Sequence, residues 1–526
     1  MNELVRNSER FDIGRILVLV LATLTLLVSG CATLPPPSGR ASTTALTNTA
    51  DTRLGKAVAA GVAANPGKSG IFSMAEPHDA LAARILLARA AEKSIDAQYF
   101  LWAGDEVGTL LFEEVFRAAL RGVRVRLLID DYNTKGLDPL LAALGTQSNL
   151  EIRLYNPMVI RDERALNYLV DFQRVNRRMH NKSFTVDNQV SVVGGRNIAN
   201  EYFDAGTGIG FVDFDVIAIG PVVGKISDEF DLFWNSASAY PASGFVGTPP
   251  PDAEAWLKAR AEVAHEGPHA QAYAEAVRNS DLVRALYSHK LDFEWTTAQV
   301  VHDDPAKTLA GGDRPDLELL WQLVSILGNN SRSLDMVSPY FVPGDAGAAA
   351  LAEYARKGTR VRILTNSLAA TDESAVHAGY AKRRPELLRA GVELWEIKPT
   401  VANSSKKMRL RFGASSSAAL HAKTFGMDGK RVFVGSFNFD QRSYHLNTEM
   451  GLVIDSSTMA ADLARFMDNE VPSLAYEVRL APDGENLVWI ERTAGGEVRY
   501  DTEPDTSWAL RAGVGLLSLL PIEWLL

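Results

Sequence analysis

Arg178-Met179-His180-Asn181-Lys182-Ser183-Phe184-Thr185-Val186-Asp187, closed by Gly194-Gly195-Arg196-Asn197, decides the fold because the chain contains it twice. The counterpart is Leu420-His421-Ala422-Lys423-Thr424-Phe425-Gly426-Met427-Asp428, closed by Gly435-Ser436-Phe437-Asn438. In both copies Lys follows His by two positions, Asp follows Lys by five, and Gly and Asn stand at matching offsets. His180 and His421 are 241 positions apart. The repeat predicts two similar lobes, each bringing one histidine to a single site between them.

Locally, Thr424 to Met427, then Asp428-Gly429, then Arg431 to Val434 reads as strand, tight turn and strand, since Asp-Gly is a strong hairpin signal. Asp187-Asn188 occupies the same place in the first copy. Asp187 and Asp428 are therefore expected to shape a turn or pair with a nearby base rather than take part in chemistry. Residues two apart on a strand project from one face, which pairs His180 with Lys182 and His421 with Lys423. Gly-x-x-Asn leaves the second strand where backbone N–H groups and the amides of Asn197 and Asn438 can face an anion.

Two histidines, two lysines and two asparagines at one point suit a phosphodiester. The lysines and asparagines would hold the non-bridging oxygens. One neutral imidazole would attack phosphorus, and the other, protonated, would donate to the leaving oxygen. Each imidazole needs an orienting carboxylate. The candidates downstream are Asp215, ending Phe211-Val212-Asp213-Phe214-Asp215, and Glu449 in Asn447-Thr448-Glu449. A metal is not expected, because His-x-Lys offers one ligand where a metal site wants several. His78, His265, His269, His289, His302 and His445 lack such a setting, and His377 is a candidate for acceptor binding or for a structural role.

Outward from the motifs the repetition continues. Ser333 to Phe341 parallels Ser94 to Phe100, Lys357-Gly358 to Leu364 parallels Arg121-Gly122 to Leu128, and Glu393 to Pro399 parallels Glu151 to Pro157. Helical periodicity at Asp79 to Glu92 and from Asp105 alternates with these short apolar strands, the pattern of an α/β sandwich. The resulting division is a first lobe at 69–242, a connector at 243–305, a second lobe at 306–480 and an apolar tail at 481–526.

At 526 residues the chain is long enough for two cores, and its net charge of −10 argues against a general nucleic-acid binder. Arg174, Arg177 and Arg178 before the first motif, and Lys406, Lys407, Arg409 and Arg411 before the second, are expected to form basic patches beside the site. Residues 1–30 carry Arg6, Arg10 and Arg15 ahead of an apolar run, and Val28-Ser29-Gly30-Cys31 resembles the lipobox of bacterial lipoprotein precursors. That resemblance implies cleavage before Cys31, acylation of this sole cysteine and anchoring in the cell envelope. The chain would then face the periplasm, with the outer membrane favoured by Ala32 if the cell is Gram-negative. Residues 31–68 read as a flexible spacer, since Pro, Ser, Thr and Ala prevail and large apolar residues are few.

The double His-Lys-Asp pattern resembles the phospholipase D superfamily. Gly194-Gly195-Arg196-Asn197, Ser338-Pro339-Tyr340-Phe341-Val342-Pro343-Gly344, the Asn366 to Tyr380 loop and Leu446-Asn447-Thr448-Glu449 look like type C bacterial cardiolipin synthases. The resemblance implies two duplicated α/β sandwich lobes related by pseudo-twofold symmetry, with the site at their interface. It implies no cofactor and a metal-free phosphohistidine mechanism, with His180 as nucleophile and His421 as acid/base. The implied substrates are phospholipids, phosphatidylglycerol first and phosphatidylethanolamine as a further candidate. Alternatives are a phospholipase D using water, a nuclease of the superfamily, and a non-catalytic lipoprotein scaffold.

Overall fold

The computed structural model describes residues 34, 40–203, 210–267, 270–280, 282–284, 291–309, 314–327, 332–399 and 418–526. Cys31 with the segment before it, and Lys406, Lys407, Arg409 and Arg411, lie outside the described residues.

Each motif opens a hairpin in the middle of a mixed sheet. In the first sheet the order is Glu294–Thr296, Ser69–Met74, Asp215–Ile219, Val190–Gly194, Ser183–Val186, Ser94–Tyr99, Arg124–Asp130, Leu150–Tyr155 and Ala239–Pro241. The second runs Ala298–His302, Met450–Ile454, Arg431–Gly435, Thr424–Met427, Ser333–Val337, Arg360–Asn366, Glu393–Ile397, Ala475–Leu480, Leu487–Thr493 and Gly496–Tyr500. From Ser69–Met74 and Ala298–His302 inward the two orders match strand for strand. The strand carrying Ser94 runs parallel to its neighbour at Arg124, as Ser333 does to Arg360, through crossover helices Glu106–Leu120 and Gly344–Arg356. Asp105 caps the first of these helices, its carboxylate accepting from the Gly108 N–H.

The motif hairpins turn in two residues with left-handed backbones, φ 51° and 50° at Asp187 and Asn188, and 54° and 62° at Asp428 and Gly429. Such turns match the right-handed twist of the flanking strands and select Asn, Asp and Gly. Between the lobes an apolar core is shared, with Ile71, Val193, Val216 and Ile226 from one side and Val434, Met450, Leu452 and Met459 from the other.

Three boundaries differ from expectation. The connector ends in two consecutive strands, Glu294–Thr296 on the edge of the first sheet and Ala298–His302 in the second, so Thr297 alone passes between sheets. The spacer is ordered on the first lobe from residue 40. Arg153, Arg126 and Arg124 donate to the carbonyls of Ala41, Thr43 and Thr44, and Thr52 caps the helix Arg53–Ala64. Residues 41–44 are held largely through backbone carbonyls, and Leu54 and Val58 of the following helix pack on the first-lobe core. The tail is not one apolar segment, because Leu487–Thr493 and Gly496–Tyr500 extend the second sheet, and only Trp508–Ser518 with Glu523–Leu525 follows as helix. Among the described residues no helix is long and apolar enough to cross a membrane.

Candidate active site

The motif histidines sit just outside their hairpin strands, on short segments that reach into the opposite lobe. Met179 bridges in parallel to Thr448, and the His180 N–H donates to the Thr448 carbonyl at 2.8 Å. Symmetrically, Ala418–Leu420 pairs in parallel with Gly210–Val212, and the His421 N–H donates to the Val212 carbonyl at 2.8 Å. The residue after each of those carbonyls is a carboxylate. Glu449, in the second lobe, lies 2.8 and 3.0 Å from Nδ1 of His180, and Asp213, in the first, lies 2.6 Å from Nδ1 of His421. The carboxylates are thus exchanged between lobes, and neither lobe completes its own histidine.

Asp215 is therefore not the carboxylate that meets an imidazole. Its side chain is fully buried against Arg84 at 3.0 Å, with Arg196 Nη1 at 3.5 Å. The strand register explains the correction. Asp215 pairs with Gly194, as Gly451 pairs with Gly435, so the counterpart of Glu449 is two residues before Asp215. Gly195 makes room for it: a Cβ there would fall 2.1 Å from Asp213 Oδ1. Arg196 fastens the same strand by donating to the Asp213 carbonyl at 2.6 Å.

Glu449 is further held by Ser436 Oγ at 2.5 Å and Ser443 Oγ at 2.8 Å. With both oxygens occupied, its position fixes the ring orientation of His180 and places Nε2 on the open side. Around His421, Tyr202 and Phe211 stand with ring centroids 5.0 and 5.1 Å away, and the Tyr202 hydroxyl lies 3.5 Å from Nε2. That hydroxyl also accepts from Asn197 Nδ2 at 2.9 Å. Sequence reasoning missed Asp213, Tyr202, Ser436 and Ser443. The first could have been found by counting back from the apolar run of each strand rather than forward from Gly-x-x-Asn.

The ammonium groups lie within the site. Lys182 Nζ donates to the His180 carbonyl at 2.6 Å and stands 5.6 Å from the centre of the Phe100 ring. Lys423 donates to the His421 carbonyl and lies 2.9 and 3.2 Å from the ring nitrogens. Asn438 is buried and its side-chain oxygen has no hydrogen-bond partner among the described residues. Asp187 and Asp428 are at the turns, away from the imidazoles. Asp187 accepts the N–H groups of Glu92, Lys93 and Ser94, and Asp428 those of Arg332 and Ser333, so each ties its hairpin to the start of the neighbouring strand. Asp187→Ala would leave three N–H groups without that acceptor. It is expected to cost about 2 kcal/mol in denaturant unfolding while leaving turnover per folded molecule within twofold or so.

Electrostatically the site is crowded and buried. His180 and His421 are 8% and 7% exposed. Burial first, then the adjacent lysines, holds both imidazoles well below their ordinary proton affinity. Burial likewise lowers Lys182 strongly and Lys423 to about 8, and raises Glu449 to about 7. Asp213 is also raised by burial. An entering phosphodiester anion would reverse part of this, because it neutralises the cations that oppose protonation.

One further expectation changes. Arg178 is buried in an ion pair with Asp130 at 3.2 Å and Arg174 pairs with Asp171 at 2.5 Å, so they do not form an open basic patch. Of the two roles open to His377, its surroundings favour the structural one, since it is buried between Glu503 at 3.2 Å and Arg384 at 2.5 Å and fastens the tail. No group of three or more His, Cys, Asp or Glu side chains suited to a metal occurs among the described residues.

Comparison with known proteins agrees with this geometry. The family described as "Cardiolipin synthase, PLD-like domain" matches residues 85–234 and 323–471, one span per lobe. Cardiolipin synthase C of Escherichia coli is 45% identical over 90% of this chain and 100% of its own length. Cardiolipin synthase A of Cronobacter sakazakii is 25% identical over 75% of this chain and 67% of its own length. Among solved structures, phosphatidylserine synthase of Haemophilus influenzae superposes with a TM-score of 0.55 at 12% identity, covering 90% of this chain and all of that one, a likeness of fold. With a match in each lobe and one histidine drawn from each, the chain belongs to the cardiolipin synthase family of phospholipase D-like proteins.

Proposed function

We propose that this protein is a phosphatidyltransferase that forms cardiolipin from phosphatidylglycerol and a second phospholipid through a phosphohistidine. The observation that carries the reading is the pair of histidines clamped at Nδ1 by carboxylates of opposite lobes, with a lysine beside each. Nδ1–H donation to Glu449 leaves the His180 Nε2 lone pair free to attack phosphorus. Lys182 and Lys423 balance the charge of the pentacoordinate transition state, assisted by the amides of Asn197 and Asn438. As the P–O bond to the leaving group breaks, His421 Nε2–H gives that oxygen its proton. A hydroxyl of phosphatidylglycerol then yields its proton to His421, attacks phosphorus and displaces His180. Protons and phosphoryl bonds balance over the cycle. The oxygen of Asn438, without a partner among the described residues, suits the other hydroxyl of the glycerol headgroup, which keeps its proton and is a donor.

The test is incubation of the purified protein with phosphatidylglycerol, alone and with phosphatidylethanolamine, following lipid products. Cardiolipin is expected. Phosphatidic acid alone would make the chain a phospholipase D, and no turnover of either lipid would make it a scaffold.

The pH profile follows from the site. His180 must be neutral to attack and its proton affinity is lowered, so the acid limb of kcat/KM is expected below pH 6.5, histidine's ordinary value. His421 must be charged to act as the acid and its proton affinity is lowered too, so the alkaline limb of kcat/KM is set by this imidazole, under the value of about 8 at which Lys423 would lose its charge. Bound phosphate favours the charged imidazole and lysine, so the alkaline limb of kcat should lie higher than that of kcat/KM. Rates on dispersed lipid across pH 4–10 or so check both limbs.

For location we propose a lipoprotein of the bacterial envelope facing the periplasm, acylated at Cys31, on the lipobox alone. Cys31→Ser is expected to abolish incorporation of labelled fatty acid and to release the protein from sedimented membranes.

A further inference from the structure

More than half of the large apolar side chains exposed among the described residues fall in two segments, 132–172 of the first lobe and 508–524 of the tail. In the first, Leu169 is 82% exposed, with Tyr132 and Phe172 also open. Tyr132 stacks on Phe100 at 5.9 Å, and Phe100 meets His180 edge-on at 5.0 Å, so this segment leads from solvent to the site. In the second, Trp508 and Leu519 are 76% and 80% exposed, with Trp524 half-exposed.

Arg442 links the ends of the two segments beside the site. Arg442 donates its N–H to the Leu526 carbonyl at 2.8 Å and its guanidinium to the Asn176 carbonyl at 2.7 Å. Asn176 directly follows the helix Phe172–Val175, and Arg442 is among the charges that oppose protonation of His180. The tail helix Trp508–Ser518 packs one side, through Leu510, Val514 and Leu517, on the helix Ser374–Ala381. Its sole charged residue, Arg511, turns back to the Thr506 carbonyl at 2.7 Å. A helix apolar on its free side as well as its packed side has a second apolar phase to meet. At 11 residues it is too short to span a bilayer, and Trp beside Leu suits the headgroup boundary.

We infer that the Tyr132–Phe172 segment and the tail together form a monotopic docking face that sets the mouth of the site against a phospholipid bilayer. The occupant follows from the substrate class. Two-chained phospholipids stay in the bilayer, and both histidines are buried, so the headgroup must be drawn out of the membrane at the rim where the apolar side chains lie. This inference rests on the proposed phosphatidyl transfer. A lipid anchor at the N-terminus would hold the protein near the membrane without orienting the mouth.

The test compares the full-length protein with a Leu169→Asp/Leu519→Asp/Trp524→Asp variant, all exposed positions. Rates are measured on vesicles of long-chain phosphatidylglycerol and on dihexanoyl phosphatidylglycerol dispersed below its micellar concentration. The expected result is a loss of tenfold or more on vesicles with an unchanged rate on the dispersed lipid. Brominated-lipid quenching of tryptophan fluorescence should diminish in Trp508→Phe and Trp524→Phe. Equal rates on vesicles, or equal losses on both substrates, would overturn docking. So would a dimer in sedimentation that the Asp variant dissociates, which would assign the face to a second copy. If the unaltered protein turns over neither lipid, the transfer reading falls, and the quenching still decides the docking.

Discussion

His180→Ala is expected to lower cardiolipin formation roughly 10⁴-fold or more, the scale seen when an enzyme loses its covalent nucleophile. His421→Ala is expected to cost roughly 10²–10⁴-fold on natural lipid, the range for a general acid. The two losses differ in kind, and a substrate with a good leaving group separates them. A p-nitrophenyl ester of phosphatidic acid needs little protonation as its bond breaks. His421→Ala should therefore release about one p-nitrophenolate per protein in a burst and then stall, since no base remains to activate the acceptor hydroxyl. The phosphatidyl adduct should be found by mass on the peptide containing His180. His180→Ala should give neither burst nor adduct. A burst from His180→Ala and none from His421→Ala would exchange the roles, and bursts from both would remove the covalent intermediate.

The motifs could announce both histidines because their context is local: each stands on the short segment leading into a two-residue hairpin whose strands and turn are written in the adjacent residues. The same locality made the duplicated strands legible, since each is a short apolar run after a Gly-containing turn, as at Gly122 and Gly358. What failed was tertiary. Asp213 and Glu449 stand at different distances from their Gly-x-x-Asn, so spacing could not choose between the two carboxylates of Phe211-Val212-Asp213-Phe214-Asp215, and the one ending the run, Asp215, was the wrong one. The exchange of carboxylates between lobes has no signature along the chain at all, since it arises from backbone pairing of Met179 with Thr448 and Leu420 with Val212. Residues 40–49 misled for a different reason. Their composition is that of a linker, yet the partners that hold them are arginines more than 70 positions away, reaching backbone carbonyls that every residue possesses.

The exchanged carboxylates carry the second large prediction, because they invert the expectation that damage stays within a lobe. Glu449→Gln should behave like a lesion of His180, although it lies in the other half of the chain. The present carboxylate accepts from Ser436, Ser443 and Nδ1 of His180 together. A glutamine keeps one accepting oxygen, and its amide N–H₂ can donate to Nδ1, which drives the imidazole proton to Nε2 and removes the attacking lone pair. By the scale for a comparable carboxylate-to-amide change behind a catalytic histidine, the loss should be roughly 10³–10⁴-fold in kcat. The burst from the p-nitrophenyl ester should be lost with it. Asp213→Asn should instead resemble His421→Ala, giving the burst and then slow turnover. Asp215→Asn belongs to neither class. It would leave Arg84, 1% exposed, facing a neutral partner, and should lower unfolding stability by about 3 kcal/mol with turnover per folded molecule little changed. If Asp215→Asn abolished the burst while Asp213→Asn did not, the assignment of Asp213 to His421 would fail. If Glu449→Gln kept the burst, Glu449 would be a structural acid, and the lobes would be joined by backbone pairing without sharing a catalytic pair.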